Sequence, residues 1–138
     1  MGYLRWAVLA LLAYSAVAPL VSHASRGIPS TVVALVANGV LLIATVGVVL
    51  ASDTAVATYA SHARMPYALL AGACLAVGIL AYYRALATGP VSVVVPVFGL
   101  FIVTSSLLGV AVLDEPLTLR KVVGVLFAVL AVILVAGD

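Results

Sequence analysis

The chain carries very little charge. Its 138 residues include only six Lys or Arg and four Asp or Glu, a net charge of +2. A water-soluble domain has about 25% charged residues, and 7% cannot cover a water-facing surface. The few cations are scattered, which leaves no basic face for nucleic acid. A single cysteine, Cys74, rules out an internal disulfide framework and fits no metal spacing. His23 and His62 lie far apart in loop sequence with no further ligands near them, and read as interfacial loop residues. The chain has no glycine-rich phosphate loop, no His–Glu–His constellation and no nucleophile elbow. With no nucleophile–base pair to name, neither an enzyme nor a cofactor is expected.

What the chain does have is apolar length, with 67% hydrophobic residues. Crossing about 30 Å of hydrocarbon as helix takes roughly 18 or more apolar residues. Five stretches qualify, approximately 4–22, 31–52, 67–87, 91–113 and 118–136, each bounded by polar or turn-forming residues. They are rich in valine, a strand former in water, but an open strand in lipid leaves its backbone polar groups unpaired, so helix is expected. A transmembrane barrel needs alternating segments of roughly ten residues, and these runs do not alternate. The expected fold is all-α, an integral membrane helix bundle of about five transmembrane helices, with residues 1–138 as one domain. Arg5 and Ser22-His23-Ala24 also fit a cleaved signal peptide. The first apolar stretch is longer than a usual signal core, and Tyr14 and Pro19 interrupt it, which favours a retained span.

Five spans put the termini on opposite sides. The N-terminal side carries Arg5, Arg64, Arg120 and Lys121, and the other carries Arg26 and Arg84. The positive-inside rule then weakly favours a cytoplasmic N-terminus, in the cell (plasma) membrane if the cell is prokaryotic. So small a bias also permits insertion both ways.

All four carboxylates, Asp53, Asp114, Glu115 and Asp138, fall at the ends of the apolar runs or between them. A buried carboxylate is the usual element of a proton relay or cation site. Its absence argues against proton-driven antiport of the small-multidrug-resistance type, which relies on a membrane-embedded Glu in its first helix. The polar groups inside the spans are mild: Tyr14 and Ser15, then Asn38 and Thr45, then Tyr82, Tyr83 and Arg84, then Thr104-Ser105-Ser106. Taken singly, each is accounted for by an interhelical hydrogen bond worth about 0.6 kcal/mol. Taken together they occupy the first four helices, while the fifth has none from Val122 to Ala136. That distribution suits a polar cavity among helices one to four, with the fifth outside as a packing or dimer helix. Arg84 either snorkels to the interface or faces a cavity and attracts an anionic group. Pro96 removes a helix hydrogen bond and should kink its helix, as a cavity element or as a purely structural bend. Small residues recur four apart, at Ala68, Gly72 and Ala76 and at Gly124 and Ala128, a pattern that allows close helix contact. The substrate-cavity candidates are Tyr14, Ser15, Asn38, Tyr82, Tyr83, Arg84, Pro96, Thr104 and Ser105. Glu115 suits the positive end of the last helix, and Thr118 its N-cap.

From Tyr82 to Gly137 the chain resembles the EamA-like domain of the drug/metabolite transporter superfamily. The matching elements are Tyr82-x-x-Ala85-Leu86-x-x-Gly89, Ser92 and Pro96 in the fourth helix, the Glu115-Pro116-Leu117-Thr118 turn, and the last helix with Gly124. The first two helices match in hydropathy and count alone. Full-length members of that superfamily are two five-helix halves of opposite topology, so the resemblance implies that this chain is one half. Its expected partners are the lipid bilayer, a small-molecule substrate, and a second copy, in antiparallel or parallel orientation, or a paralogous chain. The implied function is transport or export of small metabolites by alternating access between paired halves. Alternatives are a flippase or accessory subunit for a lipid-linked substrate, with Arg84 meeting a phosphate, and a purely structural membrane subunit.

Overall fold

A computed structural model describes residues 2–52, 54–112 and 116–136. The four carboxylates Asp53, Asp114, Glu115 and Asp138 lie outside these residues, and so does the expected dipole role of Glu115. Among the described residues the structure is helical, with no strand. The chain forms two compact units, Met1–Thr88 and Gly89–Asp138.

The first unit holds α1 (Gly2–Ser15), α2 (Val17–Ala24), α3 (Ser30–Ala51), the single turn α4 (Val56–Tyr59) and α5 (Met65–Thr88). α1 and α2 make up one 23-residue span that is broken at Ala16. Pro19 causes the break, because its nitrogen has no hydrogen and its ring crowds the carbonyl four residues back, that of Ser15. Proline also starts the next two long helices. The Pro29 carbonyl accepts the N–H groups of Val32 and Val33 at 2.9 and 3.1 Å to open α3. Pro66 is the second residue of α5, where a missing N–H costs nothing. His62 prepares that start: its Nδ1 accepts the Arg64 N–H at 3.1 Å and its carbonyl the Met65 N–H at 2.8 Å.

α2, α3 and α5 pack against one another. The buried residues of this unit are Ala18 and Val21 of α2, Ala34 of α3, and Tyr83 and Leu86 of α5. All five lie near the end that carries the 25–30 turn and the C-terminus of α5. α1, redirected by the break at Ala16, buries none of its residues.

The second unit holds α6 (Val91–Gly99), α7 (Phe101–Val112) and α8 (Leu119–Ala136), with α6 and α7 both against α8 and Val103 buried. The expected kink is displaced. α6 runs through Pro96, and the helix breaks one turn later at Leu100, whose N–H bonds Val97 at 3.2 Å. Gly99, among the weakest helix formers, permits the turn there, and the Phe98 and Phe101 rings meet across it at 5.2 Å. Thr118 caps α8 as expected, its Oγ1 accepting the Lys121 N–H at 3.3 Å.

Among the described residues, four helical segments are long and apolar enough to cross a membrane: Gly2–Ala24, Ser30–Ala51, Met65–Thr88 and Val91–Val112. α8 occupies the fifth expected stretch with 18 residues, at the short end of the spanning range. At most 11% of any of the four spans is buried within the chain, so internal packing does not explain their apolarity. Leu35, Ile43 and Leu50 are 73–74% exposed, and each such side chain left in water would forgo about 1.5–3 kcal/mol. Lipid removes that cost, and the chain is a multi-pass membrane protein.

Candidate functional site

Two hollows open within the first unit. The larger, about 530 Å³, runs between α3 and α5 and is walled by Ala34, Leu35 and Asn38 on one side and Gly72, Leu75 and Ala76 on the other, among others. α3 has 22 residues, or about 33 Å at 1.5 Å per residue. Asn38 stands about 12 Å from its start and so near the middle of the span. Its Nδ2 donates to the Ala34 carbonyl at 2.8 Å, the one hydrogen bond it makes among the described residues. A carboxamide offers two donor hydrogens and two acceptor lone pairs, so most of its capacity is unspent in a half-buried position.

Gly72 does not serve the close contact that its spacing suggests. A Cβ built there, or at Gly124, meets nothing within 4 Å. In α5 the missing side chain leaves width in the groove.

The hydroxyls are satisfied differently from expectation. Ser15 donates to Leu11 at 2.7 Å, Thr45 to Leu41 at 2.8 Å, Thr104 to Phe101 at 3.1 Å and Ser106 to Ile102 at 2.7 Å, each a carbonyl of its own span. Expected interhelical bonds are thus replaced by bonds within the helix, because a carbonyl three or four residues back is in reach without help from a neighbour.

Of the nine candidate residues, the groove takes in Asn38 alone. Tyr14 is 68% exposed and Ser15 is exposed beside it. Tyr83 is buried, and its ring lies 6.4 Å from that of the half-buried Tyr82, inclined at 58°. Tyr83 therefore belongs to the packed end of the unit. Pro96, Thr104 and Ser105 belong to the second unit, where Pro96 is half-buried and the other two are exposed.

Arg84 lines the smaller hollow, about 350 Å³, at the packed end, together with Ser25, Arg26, Ser30 and Thr88. Arg26 and Arg84 thus share one end of the unit, as the alternation of spans requires. Sequence reasoning used Arg26 only to count charges and passed over Ser25 and Ser30. The available signal was parity: the first turn and the end of the third span must come to the same face. For the groove, the available signal was Asn38 four residues after the small Ala34, facing a helix with small residues at Gly72 and Ala76.

The family model of EamA-like transporters matches residues 1–137. No curated protein and no solved structure matches the chain.

Proposed function

This chain belongs to the EamA-like transporter family, and we propose that it carries a small metabolite through the α3–α5 groove as one half of a paired, alternating-access transporter. The family makes it a membrane transporter of small metabolites and not an enzyme. The observation that supports the groove as the path is its make-up: apolar walls with a single under-used amide near mid-span. Small-molecule sites are mostly apolar with a few placed polar groups, and paired-half transporters keep theirs near the midplane. Such a lining suits a compact substrate, largely apolar, with one group able to exchange hydrogen bonds with an amide. No carboxylate occurs in the sequence of α1 to α3 or α5 to α8, which supports facilitated movement rather than proton coupling.

Exposure supports pairing. The chain has one set of about five helices, and α1 offers apolar side chains such as Tyr3, Trp6 and Leu12, 66–75% exposed, for a second chain to cover. That chain is a second copy in the opposite orientation or a paralogous partner.

Counterflow tests this reading. Proteoliposomes holding the full chain are loaded with a pooled extract of small cell metabolites, and exchange of each compound is followed by mass spectrometry. Exchange of at least one compound is expected, abolished by Gly72→Leu, which fills the groove, and strongly reduced by Asn38→Leu. Thr45→Val, whose hydroxyl bonds its own helix, should exchange normally. No exchange of any compound refutes the transport reading, and exchange indifferent to both groove variants removes the groove from the path.

A further inference from the structure

We propose that the hollow formed by the 25–30 turn and the end of α5 is a binding site for a phosphate group, separate from the groove and independent of the transport reading. Two guanidinium groups, Arg26 and Arg84, line one space of about 350 Å³. Arginine does not lose its proton in proteins, so the two exposed guanidinium groups bring positive charge to one space. Among the described residues no carboxylate lines this space.

The backbone adds to the positive field. α3 begins at Ser30 on the wall of this hollow, with no side-chain cap at Pro29. Its own hydrogen-bond ladder starts with the Val32 N–H, so the amides of Ser30 and Thr31 have no intrahelical acceptor. A 22-residue helix presents its positive dipole end here. Ser25, also on the wall, has an Oγ shut off from solvent without a hydrogen-bond partner among the described residues. The opposing field is the C-terminus of α5, which Arg84 itself offsets from the last turn, where the Thr88 hydroxyl already bonds the Arg84 carbonyl at 3.0 Å. Among the described residues, that leaves Arg26, the α3 amides and the Ser25 hydroxyl without a negative partner.

Depth favours phosphate over other anions. α5 has 24 residues, or about 36 Å, which exceeds the roughly 30 Å of hydrocarbon. Arg84 lies one turn before its end, close enough for its long side chain to snorkel to the headgroup phosphates, and a guanidinium binds a phosphate through two parallel N–H···O bonds. The same chemistry is offered by an anionic lipid headgroup and by free phosphate or a phosphorylated metabolite.

The test uses the full chain in nanodiscs, read by native mass spectrometry and thermal unfolding. In phosphatidylglycerol discs, retained lipid and a raised midpoint relative to phosphatidylcholine assign the headgroup. In phosphatidylcholine discs, a midpoint that rises with added inorganic phosphate, and not with equal ionic strength of chloride, assigns the free anion. Either effect should weaken by about tenfold in affinity for Arg26→Gln or Arg84→Gln, the loss expected from one charge-assisted contact. It should persist in Arg64→Gln, which removes a cation outside the hollow. Arg84→Lys keeps the charge without the fork and should give an intermediate loss, which guards against a variant that merely fails to fold. No response to either phosphate source, or a response that Arg64→Gln weakens as much as the other two, overturns the site.

Discussion

At the residue scale, Asn38 is where stability and activity should separate. Its amide sits near mid-span with one bond, to the Ala34 carbonyl, and three bonding positions unmet among the described residues. Leaving buried polar capacity unmet costs about 1–3 kcal/mol, a cost that a substrate's hydrogen bonds would offset. Asn38→Leu should therefore raise the unfolding free energy in detergent by about 1 kcal/mol while lowering transport about tenfold. Chemical denaturation beside counterflow reads both, and a variant that loses stability would make Asn38 a structural residue instead. Thr45→Val is the contrast: its Oγ1 only doubles up on the Leu41 carbonyl, so stability should stay within about 0.5 kcal/mol and transport should not change.

At the element scale, the breaks in the spans matter more than their lengths. Pro19 deprives the Ser15 carbonyl of its partner and separates α1 from α2 at Ala16, and α1 then leaves the packing of α2, α3 and α5. Pro19→Ala restores the missing N–H and should fuse the two helices. Stability should rise by up to about 3 kcal/mol, with slower amide exchange at residues 16–20. If α1 swings during transport, exchange of substrate should fall at the same time. Unchanged amide exchange at those residues would place the cause of the break elsewhere. Span positions were legible in the sequence because lipid imposes a length and an apolarity that few residues violate. 4–22 became Gly2–Ala24, and 67–87 became Met65–Thr88. The break after Pro96 was not, since it falls at Leu100 with the help of Gly99 and two phenylalanine rings. Nor was the site legible. When every face of a helix is apolar, hydropathy does not say which face meets a neighbour, so Asn38 was named without its groove and Arg26 without Arg84.

At the scale of the whole molecule, one family model covers residues 1–137, a single set of about five helices. Alternating access in this design needs two sets of opposite orientation. The cations of the first three spans set the terms: Arg5 and Arg64 on one side, Arg26 and Arg84 on the other. Only Arg120 and Lys121 tip the balance, and an excess of two is small for the positive-inside rule. An antiparallel homodimer therefore predicts that the chain inserts both ways in comparable amounts. Gly27→Cys and Ser61→Cys report opposite faces, since α3 and α5 each connect the two ends of the first unit. Both changes should be mild: Gly27 has open space where the new Cβ stands, and Ser61 differs from cysteine by one atom. In a Cys74→Ser background, an impermeant maleimide applied to whole cells should label each position in about half of the molecules, as dual insertion requires. Adding Ala60→Lys on the Arg64 side should drive the population to one orientation and abolish transport, and co-expression with a variant biased the other way by Gly27→Lys should restore it. Labelling of one position alone in the unbiased chain would discard the antiparallel homodimer, and a paralogous partner would have to supply the second half.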